Sequence, residues 1–163
     1  MKLKKPCREK IYNKETLPKQ IQLWRERGNT IVFTNGVFDI LHKGHLTLLS
    51  KTADFADILI LGVNSDASVK RLKGQERPIN DEDFRAWLLA SLTIIDAVII
   101  FEEDTPYELI ELIMPDVLVK GGDYNVANIV GSEKVIANGG KVIVVDLEDG
   151  YSTTSTINKI KEK

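Results

Sequence analysis

Cysteine is almost missing from this chain of 163 residues, where Cys7 stands alone. A single thiol excludes an internal disulfide and any cysteine-based metal cluster, and it fits a reducing compartment, so a cytoplasmic location is expected. A surplus of one charge is missing too. Lysine and arginine number 22 against 24 acidic residues, so there is no global basic field of the kind nucleic-acid binders use, and no nucleic-acid partner is expected. No apolar run approaches the roughly 20 residues of a membrane span. The opening Met1-Lys2-Leu3-Lys4-Lys5-Pro6 is charged without an apolar export segment, so a soluble, unexported protein with no membrane partner is expected. Internal repeats, linkers and low-complexity tracts are also absent. What is present in quantity is apolar side chain, 43% of the total, which suffices for one well-buried domain over residues 1–163 and is too little for two ordinary ones.

Histidine is nearly as scarce as cysteine, and both copies, His42 and His45, fall in one stretch, Phe33-Thr34-Asn35-Gly36-Val37-Phe38-Asp39-Ile40-Leu41-His42-Lys43-Gly44-His45. An apolar strand from about Ile31 enters the stretch and a helix carrying Leu46, Leu48 and Leu49 leaves it. The turn between them belongs at the carboxyl end of the strand, where open α/β sheets bind ligands. With the helix beginning near Lys43, the two histidines point the same way. Gly44 between them lets an anion approach free N–H groups at the helix start. A metal would need further ligands, and no carboxylate or cysteine partner stands nearby. An arbitrary His-x-x-His is more often a pair of surface histidines; the strand-turn-helix context and the preceding Gly-Val-Phe-Asp reverse that reading.

Along the rest of the chain, Lys14 to Arg27 reads as a helix capped by Asn13 and stopped by Gly28, with Leu17, Ile21 and Trp24 on one face. This leader, residues 1–28, is expected to pack on the sheet edge or on a second subunit. Ile58 to Val63 reads as a strand buried on both faces, followed by Asn64-Ser65-Asp66, with Asp66 as helix cap or substrate ligand. Lys70, Arg71, Lys73 and Arg77 crowd a segment ahead of Pro78, and Gly74 gives it freedom to move. Such a run is commonly a solvated face; beside a phosphate turn it also suits neutralisation of a polyphosphate. Asn80 is the expected cap of a helix whose buried stripe reads Phe84, Trp87, Leu88 and Leu92. Ala97 to Phe101 is a further strand, with Thr105 capping the next helix and Pro106 at its first position. Glu102, Glu103 and Asp104 read as capping and solvated rather than metal-binding, because adjacent acids on an extended segment do not converge. Val117 to Val119 runs into Lys120-Gly121-Gly122-Asp123-Tyr124, a turn against which a ligand can lie, with Asp123 placed to accept from a ribose. Ser132 starts a helix closed by Asn138-Gly139-Gly140, Val142 to Val145 is the last strand, and Ser152-Thr153-Thr154 opens the terminal helix. The alternation of strand and helix predicts a parallel α/β sheet of about five strands with helices on both faces.

Gly36-x-Phe38-Asp39-x-x-His42-x-Gly44-His45 resembles the signature of the nucleotidyltransferase superfamily that contains the cytidylyltransferases and the adenylyltransferases of sugar and cofactor synthesis. The later motifs Gly62-Val63-Asn64-Ser65-Asp66, Arg77-Pro78-Ile79-Asn80, Leu118-Val119-Lys120-Gly121-Gly122-Asp123-Tyr124 and Asp149-Gly150-Tyr151-Ser152-Thr153-Thr154 narrow it to heptose 1-phosphate adenylyltransferases. The resemblance runs from about Cys7 to Ile160, and no sugar-kinase half accompanies it. It implies a Rossmann-like nucleotidyltransferase fold and transfer of AMP from ATP to D-glycero-D-manno-heptose 1-phosphate. His42 and His45 would stabilise the transition state and Lys73 and Arg77 hold the phosphates. The nucleotide would meet Thr34, Asn35, Gly36, Phe38, Gly44, Gly121, Gly122, Asp123, Ser152, Thr153 and Thr154, and the substrate Asp39, Asp66 and Arg77. The implied cofactor is Mg2+ carried mainly by ATP phosphates, with no all-protein metal site, and a homo-oligomer, dimer or higher, is implied. A CTP-dependent glycerol-3-phosphate cytidylyltransferase is the alternative. Those enzymes resemble Arg-x-x-Gly-x-Ser-Thr-Thr near the C-terminus, and here Leu147 replaces the arginine. A nucleotide-binding module without turnover is the third reading. Arg85 corresponds to an active-site arginine of the family, with a surface salt bridge as its other reading.

Overall fold

The computed structural model describes residues 6–148 and 150–162. The charged opening, Met1 to Lys5, and Asp149 of the last motif lie outside these residues. Six parallel strands form one sheet: β1 (Ile11–Tyr12), β2 (Ile31–Gly36), β3 (Ile58–Asn64), β4 (Ala97–Phe101), β5 (Val117–Gly121) and β6 (Lys141–Val145), in the order β1-β4-β3-β2-β5-β6. About five strands were expected; the additional one is β1, a two-residue strand that registers Ile11 with Val98. Two residues carry no readable period, which is why the sequence pattern misses it.

Among the described residues seven α-helices flank the strands: α1 (Leu17–Glu26), α2 (Lys43–Ala53), α3 (Asp66–Lys73), α4 (Glu82–Ala90), α5 (Tyr107–Ile113), α6 (Ser132–Ala137) and α7 (Thr153–Lys161). Period-two alternation along the strands divides the core into two layers. Ile31, Phe33, Ile60, Ile99 and Leu118 face α1 and α5, meeting Leu17, Ile21, Trp24, Leu109 and Ile113. Val32, Leu61, Val63, Val98 and Val119 face α2 and α4, meeting Leu48, Leu49, Ala86 and Leu89. Burying each Leu or Ile side chain contributes about 1.5–3 kcal/mol. Gly62 makes room for this packing: a Cβ there would lie 2.9 Å from the Phe33 ring.

Several local expectations are corrected. Asn13 does accept hydrogen bonds from the Glu15 and Thr16 N–H groups, yet the helix begins only at Leu17. Ser65, not Asp66, caps α3, and Asp81, not Asn80, caps α4, each accepting from the N–H three residues on. Proline 106 is itself the N-cap position of α5, and Thr105 makes no cap. The stripe expected on α4 is rotated: Arg85, Ala86, Leu89 and Ala90 are buried, whereas Phe84 and Trp87 are 46% and 48% exposed. Two alanines let the helix lie close to the sheet, and Trp87 instead lies beneath the Arg8 guanidinium, 5.0 Å from its ring centroid.

Candidate functional site

Chain direction along the sheet reverses between β2 and β5, since β2 leads outward to β3 and β4 while β5 leads to β6 on the other side. These two strands share only two rungs, Val32 with Val117 and Phe33 with Leu118. Beyond those rungs both continue to Gly36 and Gly121 without pairing to each other. A crevice therefore opens at their carboxyl ends, the position at which a doubly wound sheet accepts a ligand.

The turn leaving β2 is held from below. Phe38 adopts φ +49°, a left-handed conformation that costs an L-residue roughly 1–2 kcal/mol, and its ring lies over the space a Gly36 side chain would fill. Asp39, expected to meet substrate, is fully buried. Its carboxylate accepts from the Ile79 N–H at 2.9 Å, the Asn80 N–H at 2.8 Å and the Arg77 Nε at 2.7 Å. Burial pushes this carboxyl up, and those donated hydrogen bonds outweigh burial and hold it below the usual range. Asn80, expected to cap, donates its side-chain amide to the Asp39 carbonyl. Arg85 closes the network from α4. Its guanidinium donates to the carbonyls of Val37 at 2.7 Å, Asn64 at 2.8 Å and Asn80 at 2.9 Å, and pairs with Asp66 at 2.8 Å. It is wholly buried, so the surface salt-bridge reading is corrected. Asp66, expected as cap or ligand, is engaged by Arg85 and gives its N–H to Glu82.

Above this floor stand the histidines. His42 caps α2, its Nδ1 accepting from the His45 N–H at 3.4 Å. The two rings stack with centroids 3.8 Å apart and an interplanar angle of 23°, and His45 leans on Phe38 at 5.2 Å. Burial and the neighbouring His42 push the His45 imidazole down to about 4, partly offset by the Ile40 backbone, and burial lowers His42 as well. Both rings are neutral at neutral pH. The His45 Nδ1 is buried without a hydrogen-bond partner. Gly44 has no spare room: a Cβ would sit 3.1 Å from the His42 ring and 3.5 Å from Tyr151.

The last contact brings in α7. Its start is laid against the start of α2 by Thr153, which donates to the Ile40 carbonyl at 3.4 Å, and by a Lys43–Glu148 ion pair at 3.1 Å. The Ser152 and Ser155 hydroxyls are engaged with each other's backbone in a capping box, which leaves the Thr153 and Thr154 N–H groups without an intrahelical partner; Thr154 is exposed. Gly121 and Gly122 lie across the crevice, Gly122 at φ +117°, with Leu147 packed on both, and Asp123 is exposed beyond them.

On the opposite face of the crevice is a cleft of about 410 Å3, with Asn35, Asn64, Lys73, Lys120, Tyr124 and Asn128 in its wall. Thr34, expected at the nucleotide, is buried in β2 with its hydroxyl unpartnered. Of the four cations grouped by sequence, Lys73 reaches the cleft, Arg77 leans on Asp39, Arg71 pairs with Asp104 at 2.8 Å, and Lys70 is exposed. In the acidic run Glu103 pairs with Lys14. Two residues were not assigned from sequence and belong to this region. Arg85 was left undecided, although its place beside Ala86 and one turn from Leu89 marks the buried face. Lys120 was read only as part of a motif, although a lysine two residues after Leu118 on an apolar strand must share its face.

A model of the cytidylyltransferase-like family matches residues 33–159. The bifunctional protein HldE of Mesorhizobium japonicum is 49% identical over 154 residues, 94% of this chain and 31% of that protein. HldE of Pectobacterium carotovorum is 54% identical over 151 residues, 93% and 32%. The chain thus spans about a third of the length of these curated relatives. Among solved structures, a lipopolysaccharide core biosynthesis protein from Thermoplasma volcanium superposes with a TM-score of 0.61 at 30% identity, covering 77% of this chain and 100% of that one.

Proposed function

The chain belongs to the cytidylyltransferase-like family of nucleotidyltransferase enzymes, and from that premise we propose that it transfers AMP from ATP to D-glycero-D-manno-heptose 1-phosphate, releasing pyrophosphate. The observation that carries this reading is the stacked histidine pair at the start of α2, set against the start of α7 beside an unpaired strand edge. Two helix N-termini and two imidazoles converge there, a set of donors suited to a polyphosphate.

In the proposed reaction an oxygen of the sugar phosphate attacks the α-phosphorus of ATP in line, and the bond to the β-bridging oxygen breaks. No protein nucleophile is needed, since the attacking phosphate is already ionised. The His42 Nδ1 is occupied as an acceptor, so its proton resides on Nε2, free to donate to a phosphate oxygen. His45 stabilises charge on the same phosphates, and the first amides of α7 receive the leaving group. Arg77 and Lys73 neutralise the phosphates, with Arg77 oriented through its Nε bond to Asp39. Magnesium would be carried mainly on the triphosphate oxygens. When bound there, magnesium supplies neutralisation of the leaving pyrophosphate.

Support for ATP over CTP comes from Leu147, which occupies the place of the arginine that the glycerol-3-phosphate cytidylyltransferases resemble having, and which packs on Gly121 and Gly122 as an apolar surface beside the crevice. The relatives named HldE point to the heptose acceptor. The test is pyrophosphate release with magnesium, crossing ATP, CTP and GTP against heptose 1-phosphate of both anomers and glycerol 3-phosphate. Release with ATP and a heptose 1-phosphate alone is expected. Release with CTP and glycerol 3-phosphate would replace the substrate pair, and binding of ATP without release under any condition would reduce the protein to a nucleotide-binding module.

A further inference from the structure

Helix α4 is apolar on two faces, and among the described residues only one of them is covered. Arg85, Ala86, Leu89 and Ala90 lie buried against the sheet. On the reverse side, again at helical spacing, stand Phe84, Trp87, Leu88 and Ser91; Phe84, Trp87 and Ser91 are exposed and Leu88 is half-buried. A helix that is apolar all round is ordinarily a buried helix. Exposed apolar residues scattered singly need no explanation, whereas neighbouring aromatics on one rigid helix mark an interaction surface. Ile79 ahead of the helix and Ile94 behind it are exposed as well, so apolar side chain continues beyond both of its ends.

The charges around this stripe say what covers it. At the amino end of α4 stand Asp81 and Asp83, both exposed. Along its carboxyl half runs the 3-10 turn Cys7–Lys10, with the Arg8 guanidinium 5.0 Å over the Trp87 ring and the Lys10 ammonium donating to the Leu92 carbonyl at 3.1 Å. One end of the stripe is acidic and the other carries two cations against the single acid Glu9. Such a surface complements itself when it is turned around. A two-fold axis beside Trp87 and Leu88 sets a second α4 antiparallel to the first, brings Asp83 of each copy to Lys10 of the other, and places each Phe84 over the small Ser91 opposite. A lipid surface or a nucleic acid, negative throughout, would instead meet Asp81 and Asp83 as like charges.

We propose that the outer face of α4, together with the turn Cys7–Lys10, is the surface through which two copies of this chain pair. Its centre holds Phe84, Trp87 and the Arg8 stacked on it, and tryptophan and arginine are the residues that dominate interface energies. A standard interface takes roughly 800 Å2 from each partner, more than one short helix face, so Ile79 and Ile94 belong to the contact as well. The pairing is independent of which nucleotide and acceptor the site takes. It reaches the site through α4 itself, whose inner face carries the Arg85 that holds the turn after β2.

The experiment is sedimentation equilibrium on the full chain from about 1 to 100 μM, the weak end of the affinities found for interfaces of that size. A dimer in exchange with monomer is expected. Trp87→Ala is expected to raise the dissociation constant at least about 30-fold, the loss of one hot-spot side chain. The charges give a second, independent test. Asp83→Lys and Lys10→Glu each set like charges opposite one another, so each variant alone is expected to pair about 10-fold more weakly or worse. Mixed together they should recover the parent affinity, because every facing pair is again opposite in sign. A monomer at every concentration overturns the proposal and leaves the face to a different partner. A dimer indifferent to Trp87→Ala pairs through another surface, and charge variants that are not rescued by mixing overturn the antiparallel arrangement. Circular dichroism and melting verify the fold of each variant, and the exposed charge pair keeps the test decisive should Trp87→Ala fail to fold.

Discussion

The floor of the crevice and its open edge use the same kinds of polar side chain to opposite ends. On the floor every charge is matched: the Arg85 guanidinium meets three carbonyls and Asp66, and the Asp39 carboxylate meets two backbone N–H groups and Arg77. At the edge the Thr34 hydroxyl and the His45 Nδ1 are buried without partners, as is Glu103 Oε2 beyond β4, and Lys120 pairs with no carboxylate among the described residues. Buried polar groups in a folded protein are ordinarily satisfied, so the two left open beside the histidine turn are candidates for completion by a ligand. The floor fixes geometry; the edge holds back its hydrogen-bonding capacity for what binds.

The sharpest way to break this division is to open the floor. Arg85→Met removes a buried cation and leaves the carbonyls of Val37, Asn64 and Asn80 without their donor. Breaking a buried pair by removing one partner costs about 3–5 kcal/mol. Urea unfolding is expected to show a loss of that size, with nucleotide and acceptor binding weakened together because the turn after β2 loses its tie to β3. A stability within about 1 kcal/mol of the parent would mean that Arg85 belongs to the edge.

His45→Ala makes the next largest change, and on the other side of the comparison. As an edge group its loss should reduce kcat by roughly 10²- to 10³-fold, the range for one transition-state donor, with far less effect on unfolding. Proton linkage gives an independent readout. The free protein holds His45 neutral down to about 4, whereas an unfolded histidine titrates near 6.5. Between those values the unfolded state binds more protons, so the contribution of His45 to stability is present above about 6.5 and declines as pH falls toward 4. A triphosphate beside the ring raises its pKa. Binding of an ATP analogue at pH 6, followed by calorimetry in buffers of different ionisation enthalpy, should therefore take up protons, and the uptake should shrink in His45→Ala.

The edge was far more legible in the sequence than the floor. Strand and helix periods located β2 to β6, and turn residues such as Gly36, Gly44 and Gly121 announced where the backbone is approached closely. Those signals are local. The floor is made by residues far apart in sequence, Asp39 with Asn80 and Arg85 with Asn64 and Val37, and no local pattern encodes such pairings. Asp39 and Asp66 look like ligands in one dimension because the partners that engage them are invisible there. The α4 stripe was misread for a related reason: large apolar residues at helical spacing suggest a core face, but close packing on the sheet selects Ala86 and Ala90 and turns Trp87 outward under Arg8. Lys120 escaped because a single lysine at a strand end looks solvated until the cleft around it is seen.

The smallest expected effect tests the comparison most finely. Thr34 lies on β2 facing the α2 layer, next along that face after Val32, and its hydroxyl is buried with nothing to bond. Were it a floor residue, Thr34→Val would cost stability by removing a hydrogen bond. As an edge residue it should cost none, since an unpartnered buried hydroxyl is itself unfavourable by about 1–3 kcal/mol and valine fills the same shape. The expected outcome is a stability equal to the parent or higher by up to roughly 1 kcal/mol, with affinity for the ATP analogue lowered about 3- to 10-fold, the equivalent of one neutral hydrogen bond. Opposite signs for stability and nucleotide affinity in one substitution are what a group reserved for ligand must show. A variant that loses both would place Thr34 in the floor and move the boundary between the two regions toward the carboxyl end of β2.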